Sequence, residues 1–108
     1  MSVIVPTSLE EALAAVAEHP SASVVAGGTD LMVELNSGHR RAESMVVVNR
    51  VPELTTWSHD SVSGTVRLGA GVTWREIERD PIAGWVPALA QAARTVGSPQ
   101  IRHAGTVG

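Results

Sequence analysis

Adjacent glycines at Gly27-Gly28, preceded by Val24-Val25-Ala26 and followed by Thr29-Asp30-Leu31, are the residues here best suited to chemistry. Two β-branched residues end a strand pattern, and Thr29-Asp30 opens a short helical one through Leu31 and Leu35. Glycine lacks a Cβ, so backbone can approach a ligand closely. Amides at a helix start have no intrahelical partner and carry partial positive charge. Together these features make a seat for phosphate. An ordinary tight strand-to-helix turn would read the same way. The stretch has neither the G-x-G-x-x-G spacing nor the lysine of a P-loop.

Two further segments share this glycine-rich character, Gly69-Ala70-Gly71 and the closing run Gly105-Thr106-Val107-Gly108. At Ala70 and Gly71 small residues permit close approach to a ligand, or else form a hairpin corner. Ser58-His59-Asp60 contains the residue types of a hydrolytic triad, but neighbouring side chains diverge and a triad needs geometry, not adjacency. His19, His39, His59 and His103 share no metal-ligand spacing. No residue reads as a general acid or base.

The elements that must position these residues can be taken in order. Val3-Ile4-Val5 is a short β run stopped by Pro6. Ser8 and Glu11 have capping-box spacing. Leu9, Ala12, Leu13, Val16 and Ala17 then predict an amphipathic helix with that face buried, ending near His19-Pro20. A strand over Ser23–Ala26, the glycine turn and a short helix over Thr29–Asn36 follow. Met45-Val46-Val47-Val48 reads as a strand covered on both faces. Beyond Val51–Leu54 the style changes: Leu54–Ser58 and Thr65–Gly69 read as antiparallel strands, with Val66 and Leu68 on the buried face. Thr73 is the N-cap of a helix over Trp74–Arg79, and Pro81 and Pro87 bracket a loop. Pro87 starts a last helix with Leu89, Ala92, Ala93 and Val96 inward, stopped at Gly97. These elements predict one unit over residues 1–53 and the start of a second over 54–108. Ending on a glycine-rich segment marks the chain as truncated.

Composition narrows the possibilities. Of 108 residues, 44% are apolar and 18% charged, an ordinary balance for a soluble globular protein. The core must come from Val, Ala and Leu, because Phe and Tyr are absent. A net charge of −3 with scattered basic residues gives no footprint for nucleic acid. Cysteine is absent, so these residues form no disulfide and ligate no iron–sulfur cluster. No apolar run is long enough for a membrane span and no signal peptide is evident, which makes a cytoplasmic protein the expectation.

Four landmarks in series carry a resemblance: VVAGGTDLMVELNSG, VVVNRVPEL, LGAGVTWREIE and VGSPQIRHAGTVG. In this order they resemble the FAD-binding subunit of molybdenum hydroxylases, which include xanthine dehydrogenases, aldehyde oxidoreductases and aerobic carbon monoxide dehydrogenases. The resemblance implies an α+β fold of the type shared with p-cresol methylhydroxylase (PCMH) and vanillyl-alcohol oxidase, in which two subdomains hold FAD between them. It implies a cofactor-binding set of Val25, Ala26, Gly27, Gly28, Thr29, Asp30 and Leu31 around the diphosphate. Ala70, Gly105, Thr106 and Gly108 would approach from the other subdomain. Within the loop, Thr29 would bond a phosphate oxygen or cap the helix. Asp30, repelled by a diphosphate, would accept backbone N–H bonds and hold the loop's shape. The tryptophans read as core or subunit contacts.

The resemblance also implies partners: a molybdopterin-binding large subunit, a small subunit with two [2Fe-2S] clusters, and NAD or oxygen as acceptor. Two departures stand out. His103 occupies a place where family members often have Asn, and family subunits run well over twice this length. The remainder would supply much of the isoalloxazine pocket, so the isolated fragment is expected to be inactive. Another FAD-dependent oxidase of the same fold, or a non-catalytic α+β module, is the alternative.

Overall fold

A computed structural model describes residues 2–27 and 44–108. The predicted helix over Thr29–Asn36, with Gly28, Thr29, Asp30 and Leu31, lies outside the described residues.

The first part is a three-stranded parallel sheet with a helix packed on it. Strands β1 (Ser2–Ile4), β2 (Ser23–Val25) and β3 (Ser44–Val47) lie in the order β1-β3-β2, with Ile4 and Val24 both opposite Val46. A central strand is flanked on both sides, and Val46 accordingly has no exposed surface. Helix α1 (Leu9–Glu18) starts at Ser8, whose hydroxyl accepts the Glu11 amide at 3.1 Å. The Glu11 carboxylate reaches back one residue further than a capping box requires, accepting from the Thr7 amide at 2.9 Å.

The buried face of α1 differs from the predicted one. Ala12 and Ala15 pack with Val46, Val48 and Val51, while Leu13 is 63% exposed and Leu9 and Val16 are also on the surface. Ala17 is exposed too. Small residues at positions 12 and 15 let the helix lie close to the sheet, which turns the larger side chains outward. Periodicity located a stripe, but the packing distance chose its edge.

The second part begins with a turn of helix α2 (Pro52–Thr55), where a strand was expected. Pro52 at its first turn fixes the backbone for helix. Strand β4 (Trp57–Asp60) therefore starts later, and pairs antiparallel with β5 (Thr65–Leu68). The Asp60 carboxylate closes the hairpin by accepting the amides of Val62 at 2.9 Å and Ser63 at 3.3 Å. Those bonds, Val62's first, hold its carboxyl below the ordinary carboxylate range.

Four short helices follow: α3 (Trp74–Ile77), α4 (Ile82–Trp85), α5 (Pro87–Ala93) and α6 (Pro99–Ala104). Helix α4 lies inside the predicted loop, and its Ile82 is a core residue. On α5 the buried positions are Ala90 and Ala93, with Leu89 and Val96 half-buried and Ala92 exposed. Gly97 follows with a φ of +53°, the left-handed stop that its position predicts. Val72, Ile77, Ile82 and Ala93 form a second buried cluster, against which Trp74, Trp85 and Val107 pack. The 53/54 boundary read from the sequence runs through α2. Among the described residues no helix is long and apolar enough to cross a membrane.

Candidate functional site

The two parts meet at a cleft of about 320 Å³. Ala26, Gly27 and Asn49 line it from the first part, and Thr55, Gly71, Thr73, Glu76, His103, Ala104 and Thr106 from the second. That volume is at the lower end of small-molecule pockets, roughly 300–1,000 Å³, and suits a portion of a dinucleotide.

Its narrowest seam lies between two glycine-rich segments. A methyl group built on Gly27 would stand 2.0 Å from the Ala104 carbonyl oxygen and 3.1 Å from the Gly105 nitrogen. No side chain fits there, so the bare backbone at Gly27 serves the approach of another stretch of chain. The loop leading to it is tied down by the Val25 carbonyl, which accepts the Val48 amide at 2.8 Å.

The closing run is held as an extended strand. Thr106 faces Thr73 in an antiparallel bridge, flanked by Trp74 N–H to Gly105 carbonyl at 3.0 Å and Val107 N–H to Val72 carbonyl at 2.9 Å. In such a pair the two central amides point away from each other. That of Thr73 donates to Glu76 Oε1 at 3.4 Å, completing a capping box in which Thr73 Oγ1 accepts the Glu76 amide at 3.2 Å. That of Thr106 has no partner among the described residues, nor has the Gly27 amide.

The predicted residues are thus brought together unevenly. Ala26, Gly27 and Thr106 line the cleft, and Gly105 is buried in the seam beside them. Ala70 and Gly108 lie against each other, Gly108 N–H donating to the Ala70 carbonyl at 2.9 Å, and neither is on the cleft lining. Gly71 does line it, although a methyl there would meet the Leu54 carbonyl at 3.0 Å. Asn49, Thr55, Thr73, Glu76, His103 and Ala104 join the lining without having been singled out. The Thr73-x-x-Glu76 spacing was a legible capping-box signal; for Asn49 and Thr55 the sequence has none.

The chemistry available is that of binding. Two unpaired amides, three threonine hydroxyls and small residues suit a phosphate-bearing ligand. The one carboxylate of the lining, Glu76, is occupied by its cap. Arg75 Nη1 hydrogen-bonds His103 Nε2; a guanidinium only donates, so Nε2 accepts and the ring proton sits on Nδ1. That leaves the guanidinium charge uncompensated beside the cleft. Ser58, His59 and Asp60 do not converge: the His59 ring stacks on Trp85 at 4.0 Å, and Asp60 is committed to the hairpin turn. Among the described residues no group of three or more His, Asp or Glu could hold a metal ion.

Comparison with known proteins gives this cleft a family. Residues 1–108 match the family described as "FAD binding domain in molybdopterin dehydrogenase". The nicotinate dehydrogenase FAD-subunit of Eubacterium barkeri is 36% identical over 106 residues, covering 95% of this chain and 35% of that protein. The xanthine dehydrogenase FAD-binding subunit of Escherichia coli O157:H7 is 33% identical over 104 residues, or 94% of this chain and 35% of that one. A chain of quinoline 2-oxidoreductase from Pseudomonas putida 86 superposes with a TM-score of 0.90 at 31% identity, over 98% of this chain and 37% of its own length. The present chain therefore spans about a third of the relatives it matches. Its α+β architecture is theirs, and it belongs to the family of FAD-binding domains of molybdopterin dehydrogenases.

Proposed function

We propose that this chain contributes the diphosphate side of the FAD site in a molybdopterin-dependent dehydrogenase. The site comprises Val25, Ala26, Gly27, Gly28, Thr29, Asp30 and Leu31 from one subdomain, residues 1–53, with Ala70, Gly105, Thr106 and Gly108 from the other, 54–108. One observation carries this reading: Gly27 meets Ala104 and Gly105 at the edge of a cleft, where the amides of Gly27 and Thr106 have no partner among the described residues. Amide donors suit a diphosphate because they satisfy its oxygens and introduce no competing charge. Ala70 and Gly108 act on the cleft indirectly, by anchoring the strand that presents Thr106.

In this reading the protein binds and orients, and the bound flavin supplies the capacity to accept electrons singly and release them as a pair. The electrons come from a molybdopterin-binding large subunit through [2Fe-2S] clusters on a small subunit, and leave to NAD or oxygen. The setting is cytoplasmic. The whole protein is an oxidoreductase component, and residues 1–108 alone are inactive because the flavin ring's pocket lies in the remaining sequence of such subunits.

Titration of the full-length apoprotein with FAD, followed by flavin fluorescence, tests this. Saturable binding weakened at least tenfold in Gly27→Ala is the expected result. A folded full-length protein that takes up no FAD overturns the reading.

A further inference from the structure

Outside the cleft lining, the mostly buried ion pair between Arg102 on α6 and Glu78, the C-cap residue of α3, is the feature the site does not yet explain. Its Nε–Oε2 distance is 3.1 Å, with the side chains 16% and 19% exposed, and neither atom has another partner among the described residues. Exposed pairs contribute little to stability, and buried ones are often no better than apolar packing. A pair retained in such a place calls for a reason other than stability.

Its position supplies one. Arg102 Nη1 also donates to the carbonyls of Gly97 at 3.2 Å and Val96 at 3.4 Å, in the turn that leads into α6. The Glu78 carbonyl in turn accepts from Arg94 Nη2 at 3.4 Å. One guanidinium thus fastens α6 both to the end of α3 and to its own entry turn. At the far end of α6 the Gly105 amide donates to the Ile101 carbonyl at 2.6 Å, and the Gly105 carbonyl accepts from Trp74 on α3. Between these fixed ends lie His103 and Ala104, the cleft residues, with the Ala104 carbonyl against Gly27. A rotation of α6 would move that carbonyl directly, because it is only two residues beyond Arg102.

We infer that Arg102 and Glu78 are positioning residues: their ion pair sets α6 so that Ala104 and Gly105 close against Gly27 and complete the diphosphate side of the cleft. This deepens the FAD-binding reading and rests on it. A planar fork suits the task, since Lys presents one point charge and cannot serve a carboxylate and two carbonyls together.

The test uses full-length protein, comparing Arg102→Lys with Ile82→Val, a core substitution remote from the cleft. FAD affinity and off-rate are read by flavin fluorescence, and the thermal midpoint is read on the apoproteins. Arg102→Lys should weaken FAD binding about tenfold, chiefly by faster release, the loss expected for one charge-assisted hydrogen bond. Ile82→Val, at an equal or larger drop in midpoint, should stay within about twofold, as a distant site does when coupling is absent. An Arg102→Lys protein that binds like wild type overturns the inference, as does equal weakening in Ile82→Val. Should Arg102→Lys fail to fold, Glu78→Gln replaces it under the same thresholds. A wild-type protein that takes up no FAD removes the reading beneath, whereas a wild type that binds while the variant is unaffected removes this inference alone.

Discussion

Gly27 and Gly69 present the same local fact with different consequences. Each would drive an added methyl into a backbone carbonyl, of Ala104 at 2.0 Å and of Leu54 at 2.3 Å. Around Gly69 the partner is nearby in sequence: its amide donates to the Thr56 carbonyl at 2.9 Å, and the Gly71 amide to Leu54 at 2.7 Å. That glycine pair joins the hairpin to α2 and belongs to the fabric of the second part. Gly27 meets a segment from the far end of the sequence, at the edge of a cleft lined by both parts. Bareness of backbone marks close approach in either case, and only the identity of the approaching chain separates a structural glycine from one at a site.

The contrast can be broken by substitution. Gly69→Ala should produce the largest loss of stability, about 3 kcal/mol, since overpacking against two fixed carbonyls has no flexible neighbour to yield. Urea unfolding reads it, and FAD affinity of the folded fraction should be near wild type. Gly27→Ala should cost less in stability, about 1–2 kcal/mol, because two segments can part where a hairpin cannot. Its FAD affinity should nevertheless fall furthest; equal behaviour of the two variants in both assays would dissolve the distinction.

Gly64 sharpens the comparison from another side. Its φ is +74° with nothing within 4 Å of an added methyl, so Gly64→Ala should cost about 1 kcal/mol through backbone strain alone. FAD binding should not move. Gly84, in α4 with its nearest atom at 3.5 Å, predicts the opposite sign. Gly84→Ala should stabilise by about 0.5 kcal/mol, measured as a raised denaturation midpoint.

The smallest effect concerns pH. Asp60's carboxyl lies below its ordinary range when folded, so the hairpin's stabilisation is complete above the unfolded value, about 3.9, and is lost as pH falls through the lower folded value. Asp60→Asn should flatten that acid limb and leave the neutral range as it was. An unchanged acid limb would remove the carboxylate from the turn.

Most of the regular elements were legible because their signals are local. Val46 in a continuous apolar run, Ser8 and Thr73 before their helices, and Gly97 after α5 each state their role within a few residues. Helices α2, α4 and α6 were not read, since four to six residues are too few for a helical period to show. Ser98 and Pro99 did mark the start of α6, as N-cap and first-turn proline. The cleft was half legible: its glycines announce themselves, whereas Asn49, Thr55 and Glu76 reach it through pairings between distant segments.

Among the described residues, the strand at the middle of the parallel sheet is the last of the three in the sequence. Neither Ser2–Ile4 nor Ser23–Val25 has a ladder partner until Ser44–Val47 is in place. A nascent chain halted before Ser44 therefore holds two β segments and no sheet, with the loop at Gly27 emerging from a strand still unpaired. The first half of this domain can be assembled only all at once.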